Sequence, residues 1–406
     1  MPPHRSTPIL IISQGYPPLD GGVATSTQRI ARQLAHAGFL VTVVTFAYAP
    51  SIDVDDYVIS ELDGVVSVKR VGPFYRHHDI DENELAVARR RVYDQTLKIA
   101  RACAPQVVIS LYASNPGLFG DYLGNALRVP HIVCLRGNDI GRNIFSTTWL
   151  PVLNVIFQRA TYVTCVNTHL MARLLTAFPQ TAKKACVIRN SVVLPSFDRP
   201  REGRPYVTHK TPWPADAVVA VFIGTPREKK GIGLLLQAVA TAALHSPIRL
   251  LVVGPEPKGA ERRLCGALWD TLRDRGVLHC TGQRERAEAL SIAAEGDLVV
   301  MPSIEDGLAN GLLEGMALGL CPVASDIFSD VVTADRSGIV VPTNNVPALS
   351  QSLISAAGNS TLRKKLALEA KTVIAESFFP AREVNEYIDL IDRAIAQTEV
   401  GSNGAQ

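Results

Sequence analysis

Short, uninterrupted apolar runs alternate with longer stretches of helical period along the whole chain. Pro8–Ser13, Leu40–Phe46, Gln106–Leu111, His131–Leu135, Thr161–Val166 and Ala185–Arg189 predict strands in the first half. Ala217–Ile223, Ile248–Val253, Leu298–Met301, Cys321–Ala324 and Gly338–Val341 predict them in the second. Runs without polar alternation are what a parallel sheet covered on both faces demands. Between them, Val23–Ala37, Asp81–Ala102, Pro116–Leu127, His169–Phe178, Arg262–Arg275 and Glu288–Glu295 carry helical spacing, and two more helices follow over about 346–375. A last helix, Ala381–Ala396, sets Val384, Tyr387, Ile388, Ile391 and Ala394 on one side. The alternation predicts an α/β fold of two Rossmann-like domains facing across a cleft. Pro195, Pro200, Pro205, Pro212 and Pro214 mark the join, because proline-rich polar chain builds linkers rather than cores. The expected division is 1–193, a linker over 194–216, 217–380, and a terminal helix and tail over 381–406.

Composition narrows the class. The 406 residues exceed one ordinary core and suit two; 47% hydrophobic and 19% charged residues describe a globular chain. A net charge of +3 gives no argument for nucleic acid. The seven cysteines are scattered and odd in number, which favours free thiols over disulfides or a zinc site. No run approaches the roughly 20 apolar residues of a membrane span, and Met1–Thr7 lacks the pattern of a signal peptide. The expected location is the cytoplasm, or its membrane face: Arg89, Arg90 and Arg91 in one helix read as a solvated surface, with attraction to anionic lipid headgroups as the alternative. The segment 50–81 is less regular, with a strand expected at Val65–Val71 and a polar patch at Arg76, His77 and His78 read as surface.

Candidate chemistry falls on loops beyond strand ends, where ligands of open α/β sheets bind. In the stretch MPSIEDGLANGLLEGMALGLCPVAS, Asp306 follows a strand and Glu314 lies in the next helix, expected on the opposite face from Leu312 and Met316. Carboxylates beside a helix N-terminus suit a sugar or ribose attached to a phosphate. In GTPREKKGIG, Arg227, Lys229 and Lys230 stand between a strand and a helix, with Gly224 and Gly231 permitting close approach. Cations there suit a diphosphate and the charge that develops on a departing oxygen. Gly21 and Gly22 precede the first long helix and allow a phosphate near its N-terminus. In RGNDI, Arg136, Gly137, Asn138 and Asp139 lie beyond another strand. Arg136 reads as a phosphate or acceptor contact, and Asp139 as an acceptor contact or the ion-pair partner of Arg136; Asn138 is a further acceptor candidate.

The Pro-Ser, acid, seven residues, glutamate and Met-Ala-x-Gly-x-Pro-Val of 302–323 resemble the signature of retaining GT-B glycosyltransferases of family 4. The resemblance implies a nucleoside diphosphate sugar as donor and a hydroxyl acceptor, whether a saccharide, a lipid-linked molecule or a small molecule. It implies that no cofactor or metal is needed, with cations neutralising the diphosphate. Asp306 and the backbone amides behind it, at Gly307, Leu308 and Ala309, would hold the sugar, and Glu314 the ribose. Lys230 takes the family's lysine position; Thr225 stands where an arginine is usual, and Arg227 would replace it. Gly224 and Thr225 would border the donor, Gly21 and Gly22 would face its phosphates, and Arg136 would stand where many relatives place a histidine. The terminal helix would cross back to the first domain. Asp306, Thr225, Ser191, and Asp326 with Asp330 depart from the family pattern. These departures motivate one alternative, a catalytically altered nucleotide-sugar binding protein; a second, a nucleotide-sugar epimerase on the same fold, would need a set of proton-transfer residues that the sequence does not display.

Overall fold

A computed structural model describes residues 6–19, 21–48, 56–75, 81–194 and 204–403, with the side chains of Asn138 and of 399–403 outside that description. The patch at Arg76, His77 and His78 also lies outside it. The chain divides into two compact units, Met1–Asn190 with Ala381–Gln406, and Ser191–Pro380.

The first unit is built on eight strands: β1 (Pro8–Ser13), β2 (Leu40–Tyr48), β3 (Tyr57–Asp63), β4 (Val66–Phe74), β5 (Val107–Leu111), β6 (His131–Leu135), β7 (Tyr162–Cys165) and β8 (Ala185–Val187). Their order is β3-β4-β2-β1-β5-β6-β7-β8. All neighbours are parallel except β3 and β4. β1, β5 and β6 are apolar and buried on both faces because helices cover both sides. β3 had no apolar run to announce it: nearly all its residues are exposed, and it holds its place by pairing with β4 at the sheet edge.

The last helix, Pro380–Asn403, belongs to this unit. Tyr387, Leu390, Ile391 and Ala394 are buried with Ile9, Ile11, Ile132 and Cys134 in one core, and Val384 and Ile388 pack at its margin. The apolar stripe read from the sequence is therefore the face that closes the sheet. Arg29 of helix Gly22–His36 adds a forked pair to Glu383, at 2.8 and 2.9 Å, and Glu383 is 1% exposed.

The second unit has six strands: β9 (Val218–Ile223), β10 (Ile248–Val253), β11 (Leu278–Cys280), β12 (Leu298–Met301), β13 (Cys321–Ser325) and β14 (Ile339–Val341), ordered β11-β10-β9-β12-β13-β14. Every pairing is parallel. Part of the stretch expected as linker is packed on this unit instead. Pro205–Lys210 is a short helix whose first amides, of Tyr206 and Val207, donate to the buried Glu295 carboxylate at 3.0 and 2.9 Å. Arg204 pairs with Asp297 at 2.7 Å, and the Trp213 indole donates to the Gly276 carbonyl. Proline composition signalled an interruption, but the apolar Val207 and Trp213 give that segment something to bury.

The seven cysteines are all free, and among the described residues no helix is long and apolar enough to cross a membrane. Of the three arginines, Arg90 and Arg91 are exposed while Arg89 is partly buried.

If the terminal helix is an integral part of the first core, Ile391→Ala should destabilise the protein by about 2–5 kcal/mol, as for other buried aliphatic truncations. Urea unfolding measures it, and an unchanged midpoint would detach the helix from that core.

Candidate functional site

Three adjacent strands, β10, β9 and β12, end side by side, and the loops that follow them are locked together. The Gly224 amide donates to the Val253 carbonyl at 2.9 Å, joining the first two. The Lys229 carbonyl accepts from the amides of both Ile304 and Glu305, at 2.8 and 3.1 Å, joining the loops after β9 and β12. Gly231 sits where those two loops touch. Its φ is +70°, and a Cβ there would lie 2.0 Å from the Pro302 carbonyl oxygen, so glycine is required by conformation and by space.

This framework gathers charges of both signs. Lys230 lies in the turn Glu228–Lys230, and its Nζ is 3.1 Å from where a Cβ of Gly224 would stand. Burial depresses the pKa of its ammonium below 10.5; Asp306 and Glu314 oppose that shift, while Lys229 and Arg227 reinforce it. The Lys229 ammonium is 3.5 Å from Asp306 Oδ1. Arg227 and Thr225 are exposed on the same loop. Lys230 and Lys229 are thus the partly buried cations of a five-charge cluster.

The acids are held differently from expectation. The Gly307 amide, expected to face a sugar, donates to Asp306 Oδ1 at 2.9 Å. The shorter aspartate thus folds back on its own loop, while Oδ2 is buried without a hydrogen bond among the described residues. Leu308 and Ala309 are buried and lead into helix Asn310–Ala317, whose N-terminus has no side-chain cap. Glu314 is not on an open face: Leu312, Leu313, Glu314, Gly315, Met316 and Ala317 are all buried, because the helix is enclosed on all sides. Its carboxylate is paired with Arg286, whose Nε and Nη2 reach Oε1 at 3.2 and 2.7 Å. Sequence reasoning passed over Arg286. The signal was its position, since a cation at the first residue of a helix opposes the dipole and needs an acid partner.

The first-unit candidates separate. Gly21 caps helix Gly22–His36 with φ +131°, and among the described residues no acid occupies the first turn and no side chain caps it, an arrangement that suits an anion. The loop before it is anchored from β4 and β3: Arg70 donates to the carbonyls of Tyr16 and Pro17, and the Tyr16 hydroxyl donates to Asp63 at 2.5 Å. Hydrogen bonding from Arg32 holds the Asp63 carboxyl down at about 2.

Arg136 spends its guanidinium on Asn190 Oδ1, at 2.7 Å, and on the Tyr387 hydroxyl, at 3.1 Å. Asp139 is neither an acceptor contact nor the hydrogen-bonded partner of that guanidinium. It is fully buried, and its oxygens accept the amides of Arg136, Gly137 and Ala113. An acidic residue four positions after a strand end is as well placed to satisfy loop amides as to meet a ligand. Asn138 is placed only by its backbone, at the start of the short helix Asn138–Gly141.

Comparison with known proteins agrees with this division. The family model described as "Glycosyl transferases group 1" matches residues 217–359, and that described as "Glycosyl transferase 4-like domain" matches 21–191. The chain is 26% identical over 211 residues to the lipopolysaccharide core biosynthesis glycosyltransferase LpsD of Rhizobium meliloti, covering 52% of this chain and 59% of that protein. It is 29% identical over 230 residues to the putative colanic acid biosynthesis glycosyltransferase WcaL of Escherichia coli, covering 54% and 53%. The chain thus spans between half and six-tenths of the length of these relatives. Among solved structures, sucrose-phosphate synthase from Thermosynechococcus elongatus superposes with a TM-score of 0.77 at 20% identity, over 96% of this chain and 100% of that one. Anabaena HepE in complex with UDP and glucose does so with a TM-score of 0.73 at 18% identity, over 95% and 100%.

The Gly231 contact gives a test of the loop framework. Gly231→Ala should cost at least about 1–3 kcal/mol of stability, the usual range for a side chain forced into strained backbone. Chemical denaturation measures it, and a variant as stable as the parent would mean that the two loops are not locked as described.

Proposed function

This chain belongs to the group 1 glycosyltransferases and has their two-domain GT-B fold, and from that premise we propose that it moves a sugar from a nucleoside diphosphate to a hydroxyl acceptor with retention of configuration. The observation that carries the reading is the gathering of Lys230, Lys229, Arg227 and Asp306, on loops beyond adjacent strand ends, with Glu314 of helix Asn310–Ala317. Lys230, with Lys229 and Arg227, neutralises the diphosphate as it departs. Depressed by burial, the Lys230 ammonium is poorly solvated and its attraction for a phosphate is correspondingly strong. Glu314 takes ribose hydroxyls, and Asp306, with Oδ1 tied to the Gly307 amide and Lys229 and Oδ2 buried, sets the position of the Lys229 ammonium beside the diphosphate. The open N-terminus of helix Gly22–His36 supplies a further place for a phosphate.

The bond from the anomeric carbon to the phosphate oxygen breaks as the acceptor oxygen bonds to the same face of that carbon. The acceptor proton passes to the departing phosphate oxygen. This same-face route is inferred from family likeness, and it agrees with Asp139 being buried and committed to backbone amides. Charge neutralisation is assigned to the lysines and arginine, so no metal is required. LpsD and WcaL are named for lipopolysaccharide core and colanic acid biosynthesis, which favours a growing saccharide, free or lipid-linked, as acceptor. Arg136, engaged by Asn190 and Tyr387, shapes the loop on the acceptor side rather than acting as a base, since a guanidinium holds its proton.

Lys230→Ala should lower kcat about 10²-fold or more if one charge stabiliser is lost; turnover equal to the parent would remove Lys230 from the mechanism. The pH dependence has a definite sign. Lys230 is cationic below its pKa, so affinity for a nucleoside diphosphate should hold near neutrality and fall as pH rises through a value below 10.5. Calorimetry between roughly pH 7 and 10 reads this, and Lys230→Arg, charged throughout, should hold its affinity across that range. A fall that persists in Lys230→Arg would assign the titration to another group.

A further inference from the structure

Arg286 belongs to no motif and was singled out by no comparison, yet it makes three hydrogen bonds at the edge of the donor site. Its Nε and Nη2 both donate to Glu314 Oε1, at 3.2 and 2.7 Å, and Nη2 also donates to the Val193 carbonyl at 2.9 Å. The guanidinium sits at the first residue of helix Arg286–Ala293, where the helix dipole disfavours a cation. The pairing with Glu314 offsets that. Glu314 is buried, its side chain 12% exposed, while that of Arg286 is 43% exposed. The exposed partner therefore reaches inward to a buried carboxylate, and it grips one oxygen of it twice.

We propose that Arg286 is the positioning residue for Glu314: it fixes Oε1 and thereby presents Oε2 to the hydroxyl groups of the donor ribose. A carboxylate has about four lone-pair sites, two on each oxygen. Two N–H bonds to Oε1 use the pair on that atom, and the pair on Oε2 matches two neighbouring hydroxyls. Fixing the carboxylate before the nucleotide arrives removes the rotamer cost of ordering it on binding. The Val193 bond makes the forked guanidinium necessary. A lysine is a point charge on a flexible stem and would not hold the carboxylate and the carbonyl in one fixed geometry. This inference rests on the donor-site reading given above.

The test uses calorimetry with the full chain and a panel of UDP, GDP and ADP, their 2′-deoxy forms, and inorganic pyrophosphate. With the diphosphate that binds the parent, Arg286→Gln should weaken the ribonucleotide about tenfold or more and the 2′-deoxynucleotide distinctly less. It should leave pyrophosphate binding unchanged and add no loss in a Glu314→Gln background. Arg286→Lys should recover part of the affinity. Equal losses for ribo, deoxy and pyrophosphate probes would assign Arg286 a structural role only and overturn the proposal, as would full affinity in Arg286→Gln or additive losses in the double variant. If the parent binds neither the nucleotides nor pyrophosphate, the donor-site reading itself fails. If pyrophosphate and the nucleotides bind and Lys230→Ala abolishes it, that reading stands whatever Arg286→Gln does.

Discussion

One main-chain carbonyl, that of Lys229, accepts amides from both Ile304 and Glu305, and the second unit's site depends on that junction. The loop carrying cations and the loop carrying Asp306 belong to strands more than seventy residues apart in the chain. Only β9 and β12 being neighbours brings them together. Once Gly231 lets the backbone approach Pro302, Lys229 and Lys230 have fixed origins relative to Asp306. Preorganised charge is effective because nothing need reorganise when the ligand arrives, and here the fixing is done by backbone bonds that a side-chain substitution leaves in place.

The same economy governs the acids. Asp306 gives Oδ1 to the Gly307 amide and Lys229, and Glu314 gives Oε1 to Arg286. In each case one oxygen is tied into the protein. An aspartate has one methylene less than a glutamate, and at 306 that shortness lets the carboxylate reach back to the next amide in the chain. The residue that departs from the family pattern is therefore tied to its own loop.

The strands were legible because burial on both faces leaves uniform apolar runs. β1, β6, β10 and β12 begin and end where those runs do. The terminal helix was legible for the complementary reason, a single apolar stripe. β3 was not, because its stability comes from pairing with β4 and its side chains face solvent. Lys230, Asp306 and Glu314 could be chosen from sequence since a loop beyond a strand end is a positional statement. Their partners could not. Whether Asp139 meets a ligand or the amides of three loop residues depends on how far the loop turns inward, and no spacing rule records that depth.

The two units carry different kinds of positive potential. In the second, the Lys230 ammonium provides a full charge whose attraction for an anion is strengthened by incomplete solvation. In the first, an uncapped helix end after Gly21 provides partial charges and backbone amides, and its loop is kept in place by Arg70, Tyr16 and Asp63 rather than by any group that would itself touch a ligand. Full charges bind tightly but release slowly, whereas a helix end contributes less and is indifferent to which oxygen it meets. In the proposed reaction a diphosphate has to be held while the sugar–phosphate bond breaks and let go afterwards, and of these two kinds of positive potential the buried full charge of the second unit is the one suited to the holding.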